Sequence, residues 1–385
     1  MAQEERIKQK FFTTAAKVEQ AFLVGVGSKV SDHDWSVTDS LEELSYLTKT
    51  AGANVVGMLT QNLNTPSPIY YIGKGKIGEL IDLKEQTQYD TVIFDDELSP
   101  RQQRNIEEVL GAKVIDRSAL ILHIFAQKAR THEGKLQVEL AQHQYLLPRL
   151  VGQWRHLERL GGGIGTRGPG EAQLETDRRL IYKRINLLQQ KIEGVRKHRT
   201  LYRGRRKETG MPIVALVGYT NAGKSTLFNT LSKATVDVEN RLFSTLDPVT
   251  RRLVLPTRQQ FLITDTVGFI HKLPPSIIAA FHATLEELDE ADLLLHIVDI
   301  THKNAANQCL TVEKILGELN LEHKPRINVF NKLDLALSIE AELNALTTIP
   351  YFEEEIVMPN EDIALVSATK GWGMDELLNK IARHL

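Results

Sequence analysis

Cysteine is almost missing from this chain. Cys309 is the only one in 385 residues, which excludes a disulfide framework and a cysteine-based zinc cluster and fits a reducing compartment. Long hydrophobic runs are missing too. The most apolar stretches, residues 119–126 and 291–300, are short and carry His or Asp, whereas a bilayer span needs about 20 apolar residues. The start of the chain, Met1 to Lys10, is charged and has no apolar signal core. No membrane span and a cytoplasmic protein are the resulting expectations. Net charge of either sign is also nearly absent, at −2, but that total conceals a segregation. Residues 1–127 carry a net −5, residues 128–207 a net +12, and residues 208–385 a net −9. A basic middle between acidic ends is the footprint of a polyanion-binding element.

Hydrophobic spacing divides the chain at the same places. Residues 21–26, 54–59 and 91–95 read as buried strands, and residues 40–50, 76–86 and 100–110 have helical spacing, with Ser99-Pro100 as a helix entry. Strands alternating with helices predict a small parallel α/β domain over 1–127. The period then changes. Leu136, Leu140, His143, Leu147, Leu150, Trp154 and Leu157 step by three and four, as do Ile181, Ile185, Leu188, Ile192 and Val195. This predicts an antiparallel helical hairpin over 128–207, kinked at Pro148. Its connector, residues 161–170, holds six glycines and a proline and cannot be regular structure. The hairpin ends in a run containing Arg196, Lys197, Arg199, Arg203, Arg205 and Arg206. Residues 208–385 open with an all-apolar strand, 213–217, followed by strand patterns at 261–264, 293–298, 327–330 and 363–366. That is a doubly wound α/β domain with its ligand expected at the C-terminal strand ends.

The chemistry sits at those strand ends. Gly218-Tyr219-Thr220-Asn221-Ala222-Gly223-Lys224-Ser225, followed by Thr226, fits G-x-x-x-x-G-K-S between a strand and a helix. Its glycines let backbone N–H groups close on phosphate oxygens at the positive end of the helix. Lys224 is expected to bridge the β- and γ-phosphates, and the Ser225 hydroxyl to bind Mg²⁺. Asp265-Thr266-Val267-Gly268 follows another strand; the Asp265 carboxylate would hold Mg²⁺ through water and Gly268 would bring its N–H to the γ-phosphate. In Asn331-Lys332-Leu333-Asp334, Asp334 would accept both N1–H and N2–H₂ of guanine and so select GTP over ATP. Lys332 would lie along the base and Asn331 would brace the loop. Ser367-Ala368-Thr369 would offer the Ala368 N–H to guanine O6. Together these motifs predict a P-loop GTPase. Phe269 stands where Ras-like proteins carry a water-orienting glutamine, so slow hydrolysis by the isolated protein is expected. Asn221 either braces its loop or helps hold a K⁺ ion. Gly73-Lys74-Gly75-Lys76 lacks P-loop spacing; it is a turn, an RNA-contacting loop, or a second phosphate loop.

The last domain resembles the G domain of translation-type GTPases, which implies that Thr245 is the Mg²⁺-binding threonine of switch I and, with Lys224 and Gly268, part of the catalytic set. The whole chain resembles HflX, the ribosome-associated GTPase family. The resemblance rests on Tyr71-Ile72-Gly73-Lys74-Gly75-Lys76, Phe94-Asp95-Asp96-Glu97-Leu98-Ser99-Pro100, Val114-Ile115-Asp116-Arg117, Gly168-Pro169-Gly170-Glu171, Leu174-Glu175-Thr176-Asp177-Arg178-Arg179, Thr245-Leu246-Asp247-Pro248 and Ala283-Thr284-Leu285-Glu286-Glu287. Ala172 departs from it, where a threonine is frequent, and the chain stops soon after its last helix whereas some members continue. The resemblance implies binding to the large ribosomal subunit and its rRNA, with GTP-dependent splitting of stalled or idle ribosomes under stress. A ribosome-assembly factor and a partner in tRNA modification are the alternatives. For RNA contact the hairpin offers Gly162, Gly163 and Arg167 in the connector, Arg155 and Arg159 before it, and Arg178, Arg179, Arg203 and Arg205 after it. A monomer is expected.

Overall fold

In the computed structural model, β1 (Gln20–Gly27), β2 (Asn54–Asn62), β3 (Thr91–Phe94) and β4 (Lys113–Asp116) form an all-parallel sheet in the order β2-β1-β3-β4. The structure describes residues 18–27, 35–153, 169–208, 210–233, 242–243, 245–274, 277, 288–340 and 362–385, without the side chains of 151–175 and 198–209. Successive residues of β1 face opposite ways, as a strand requires. Ala21 and Leu23 pack with α1 (Val37–Thr50) and α4 (Arg117–Lys128), while Phe22 and Val24 pack with α2 (Lys74–Thr87) and α3 (Pro100–Leu110). At the entry to α3, Ser99 Oγ accepts from the Gln102 N–H and Gln102 Oε1 accepts from the Ser99 N–H, with Pro100 inside the first turn. The sequence reading has no β4, because Lys113 and Asp116 leave it only two apolar residues, Val114 and Ile115. The apolar stretch 119–126 belongs to α4.

The hairpin consists of α5 (His132–Gln153), which contains Pro148, and the 40-residue α6 (Pro169–Glu208). Leu136, Leu140, Ile185 and Leu188 are buried in one seam with Leu147, Ile181 and Ile192 against it. The helix α6 begins at Pro169, so the expected connector ends two residues early. Proline suits the first helical position because its missing N–H has no helical partner there. A second face of α5, with Val138, Ala141 and Tyr145, packs into the core of the first sheet. Heptad spacing does not reveal it. Arg149, from the same helix, lies 2.9 Å from Asp116 and 3.4 Å above the Tyr145 ring, so this cation is structural. Arg184 pairs across the hairpin with Glu139 at 2.5 Å.

The second sheet has the order β10-β9-β8-β5-β7-β6. Its strands are β5 (Ile213–Gly218), β6 (Val249–Val254), β7 (Gln260–Asp265), β8 (Leu293–Asp299), β9 (Arg326–Asn331) and β10 (Asp362–Leu365). All pairings are parallel except that of β6 with β7. The edge strand β6 exposes Arg251 and Arg252, so it shows no apolar run for a sequence reading to find. The described helices around this sheet include α7 (Lys224–Ser232), α8 (Ala305–Glu318), α9 (Leu333–Glu340) and α10 (Met374–His384). One apolar cluster joins Phe125 of α4 and Val138 of α5 to Val217, Phe243, Leu246 and Phe269. No described helix is long and apolar enough to cross a membrane.

Candidate functional site

The C-terminal end of β5 turns straight into α7, and the turn has little freedom. Gly223 caps the helix at φ +96, and a Cβ there would lie 2.2 Å from Asn331 Nδ2. Both the torsion and the close approach require glycine. Asn221 takes the left-handed conformation (φ 63) at the exposed apex, which asparagine tolerates. Lys224 is buried and donates from Nζ to the carbonyls of Gly218 (3.0 Å) and Tyr219 (2.7 Å). Burial pushes its ammonium down to about 8, opposed by the Asp265 carboxylate.

Ser225 of α7 and Asp265 of β7 meet Thr245. The two hydroxyls are 2.7 Å apart and lie 2.7 and 2.9 Å from Asp265 Oδ2. Asp265 Oδ1 is buried with no hydrogen-bond partner, and burial raises the Asp265 pKa. A buried carboxylate oxygen without a donor, beside two hydroxyls, suits a hard divalent cation such as Mg²⁺. A single carboxylate is enough when nucleotide phosphates complete the coordination. Thr266 Oγ1 donates to the Leu216 carbonyl at 2.5 Å and Val267 is buried. Gly268 lies so close to the loop that a Cβ would come 2.7 Å from Thr220 Cα. These parts converge on one cleft, lined by Asn221, Gly223, Lys224, Ser225, Thr226, Thr245, Thr266 and Gly268. Phe269 is buried in the core. Its backbone joins the loop, accepting from the Thr220 N–H at 2.8 Å and donating to the Gly218 carbonyl at 3.1 Å.

Asn331, at the end of β9, ties the base side together. Its Nδ2 donates to the Ala222 carbonyl (2.9 Å) and its Oδ1 accepts from the Ala368 N–H (3.0 Å). The Ala368 N–H, expected to face guanine O6, thus also has a partner within the protein. Asp334 accepts from Ser367 Oγ at 2.7 Å and Thr369 Oγ1 at 3.2 Å. Desolvation works to raise the Asp334 pKa, but the hydrogen bonds from Ser367, its own N–H and Thr369 outweigh it and hold it low. Lys332 is anchored 2.5 Å from Asp299 Oδ2 at the end of β8. The sequence reading missed Asp299; its place at a strand end was the available signal. A larger cavity of about 550 Å³ opens beside the cleft between α1 and the phosphate loop, walled in part by Trp35, Tyr46, Asn221 and Lys303. It shares Tyr219, Thr220 and Asn221 with the phosphate loop but lacks Lys224, Ser225, Thr245 and Gly268, which line the smaller cleft and make that cleft the candidate site.

Sequence reasoning also missed a buried junction behind the phosphate loop. Arg117 of α4 is paired with Glu43 of α1 and, at 2.8 Å, with Asp95 after β3. The Tyr219 hydroxyl donates to Glu43 and accepts from the His271 N–H at 2.7 Å. Lys272 lies 2.5 Å from both Asp95 and Asp96. Burial alone would raise Asp95, yet Arg117 and Lys272 hold it below the usual carboxylate range. The strings holding Asp95 and Arg117 are visible in the sequence, but their pairing is not.

Of the RNA candidates, Arg178 and Arg179 are exposed on α6, with Arg178 5.5 Å from the Tyr182 ring centroid. Arg155, Arg159, Gly162, Gly163 and Arg167 lie outside the described residues, as do residues 283–287 and the side chains of Arg203 and Arg205. Gly73 caps α2, donating its N–H to Gln61 Oε1 at 2.8 Å, and Lys74 to Lys76 begin that helix.

Comparison with known proteins places the chain among GTPases along nearly its whole length. Residues 38–126 match the family profile described as GTP-binding GTPase N-terminal, residues 128–206 that of GTP-binding GTPase Middle Region, and residues 213–332 that of 50S ribosome-binding GTPase. The chain is 49% identical over 367 residues to GTPase HflX of Caldanaerobacter subterraneus, covering 95% of this chain and 81% of that one. It is 52% identical to GTPase HflX of Alkalihalophilus pseudofirmus over 81% and 74% of the two chains. Against GTPase HflX of Escherichia coli the identity is 42%, over 95% and 83%.

Proposed function

The chain belongs to the HflX family of GTPases, and we propose that it binds the large ribosomal subunit in the cytoplasm and, loaded with GTP, splits stalled or idle ribosomes under stress. The working units are 1–127, the hairpin 128–207 and the GTPase unit 208–385. The observation that carries this reading is a GTPase cleft joined to a hairpin of net charge +12, in a chain whose residues 213–332 match a 50S ribosome-binding profile. Such a surplus favours polyphosphate RNA and makes binding fall steeply with salt.

In the cleft, Lys224 neutralises β- and γ-phosphate charge while the backbone of residues 218–226 and of Gly268 cradles the oxygens. Ser225 and Thr245, backed by the Asp265 carboxylate, would hold Mg²⁺, which would supply charge neutralisation at the phosphates. Asp334 reads the guanine edge, Lys332 covers the base, and Asn331, Ser367, Ala368 and Thr369 shape that pocket. Asn221 is the candidate K⁺ ligand, tested by exchanging Na⁺ for K⁺ in a turnover assay. A buried phenyl ring at Phe269 cannot position water, so a partner supplies that group.

The test is sedimentation of intact ribosomes after incubation with the protein and a non-hydrolysable GTP analogue. Free subunits support splitting; intact ribosomes, with the protein on immature particles only, contradict it and favour assembly. Deleting residues 161–170 should leave nucleotide binding intact and abolish splitting, because Arg167 is the only charge removed while the glycine-rich backbone suited to a narrow RNA cavity is lost.

A further inference from the structure

We propose that Asp247 is the positioning residue of switch I, holding Thr245 in the metal site by gripping the root of the hairpin. This rests on reading Thr245 as the metal-binding threonine. Asp247 Oδ2 accepts the backbone N–H groups of Arg130 (2.8 Å) and Thr131 (2.9 Å), and Oδ1 accepts the Thr131 hydroxyl at 2.5 Å. These donors form the turn that opens α5, where Thr131 also accepts from the Gly134 N–H at 3.0 Å. A carboxylate at the N-terminus of a helix is favoured by the dipole and by donors that lack helical partners.

Two features make this contact more than a helix cap. Only Leu246 separates Thr245 from Asp247, so the two are at most about 7 Å apart along the chain. Thr245 cannot withdraw far from Ser225 and Asp265 unless Asp247 lets go of the hairpin. The same segment is fastened upstream, where the Phe243 ring meets Phe125 of α4 edge to face at 4.7 Å and its N–H donates to Thr220 Oγ1 at 3.0 Å. The second feature is Gly134. A Cβ there would lie 2.4 Å from Asp247 Oδ1, and glycine is a poor helix former. Its presence in the first turn of α5 is accounted for by the approach of this carboxylate.

Metal capture by Thr245 therefore tightens the grip on α5, and by reciprocity a partner that steadies the hairpin raises affinity for the triphosphate. A passive cap would support the fold equally with either nucleotide.

The experiment uses the full chain with Asp247→Asn, which keeps shape but weakens the acceptor, and Gly134→Ala, which favours the helix while crowding the carboxylate. Affinity for GDP and for a non-hydrolysable GTP analogue is measured with Mg²⁺, together with hydrogen exchange at the Arg130 and Thr131 amides. Both variants should lose about tenfold in analogue affinity while GDP affinity stays within about twofold. In the unaltered protein both amides should exchange more slowly with the analogue than with GDP, a difference lost in the variants. Equal losses for both nucleotides, or no loss, overturn the proposal. Thr245→Ala separates the two layers. If it leaves analogue affinity intact, the metal reading of Thr245 fails and the proposal falls with it. If it weakens the analogue while Asp247→Asn and Gly134→Ala do not, only the coupling is overturned.

Discussion

The phosphate cleft and the junction behind it are both built from buried charge, and they differ in what they leave unsatisfied. In the cleft, Lys224 rests on two carbonyls and Asp265 Oδ1 has no donor. In the junction, Arg117 gives one terminal nitrogen to Glu43 and the other to Asp95, and Asp95 also takes Ser40 at 2.7 Å and Lys272. The cleft keeps a carboxylate oxygen open for a ligand, whereas in the junction all four oxygens of Glu43 and Asp95 are taken, and only nitrogens, Arg117 Nε and His271 Nδ1, are left without a partner. The first should therefore respond to substitution in affinity and the second in stability.

The largest effect belongs to the junction. Arg117→Met leaves buried Glu43 without a cation and Asp95 with Lys272 alone, and should destabilise the fold by about 3–5 kcal/mol, read from urea unfolding; an unchanged midpoint would dissolve the distinction. Next comes the base pocket. Asp334→Asn sets a donor against guanine's donors and should weaken GTP binding by about 3 kcal/mol, roughly a hundredfold, while improving xanthosine triphosphate. Unchanged GTP affinity with unchanged base preference would remove Asp334 from its role.

A pH titration sharpens the contrast further. Lys224 is depressed from its ordinary value to about 8 by burial, and phosphate binding needs its protonated form. Below pH 8 the cation is already present. Above it, binding must take up a proton, so analogue affinity should fall by up to about tenfold for one pH unit. Calorimetry in buffers of different ionisation enthalpy should show proton uptake at pH 8.5 and little at pH 7. Uptake at neither pH would mean that Lys224 keeps an ordinary pKa. The smallest effect is Lys272→Met. Its side chain is 31% exposed and Asp95 keeps Arg117, so less than about 1 kcal/mol should be lost.

The same contrast explains what the sequence could reveal. The cleft is assembled from short strings at strand ends, each with a fixed chemical task, so Lys224, Ser225, Asp265 and Asp334 can be named before any fold is known. The junction pairs residues 74 and 22 positions apart in the chain, Arg117 with Glu43 and with Asp95. No local pattern predicts such meetings, and a buried arginine looks like a surface one in sequence. The strands β4 and β6 were missed because charged residues break their apolar runs, Lys113 and Asp116 in one and Arg251 and Arg252 in the other. The hairpin seam was legible because three-and-four spacing is local, but the second face of α5 was not, since its partners lie in another unit. The Asn331–Ala368 hydrogen bond was not legible either, because it depends on a side-chain orientation that spacing cannot supply.

The most direct test of the central claim is GTP turnover of the purified chain with and without large ribosomal subunits, at one salt concentration low enough for binding. With Phe269 buried away from the cleft, turnover should be slow alone and rise strongly with subunits. Equal rates with and without subunits would contradict a switch that the ribosome completes.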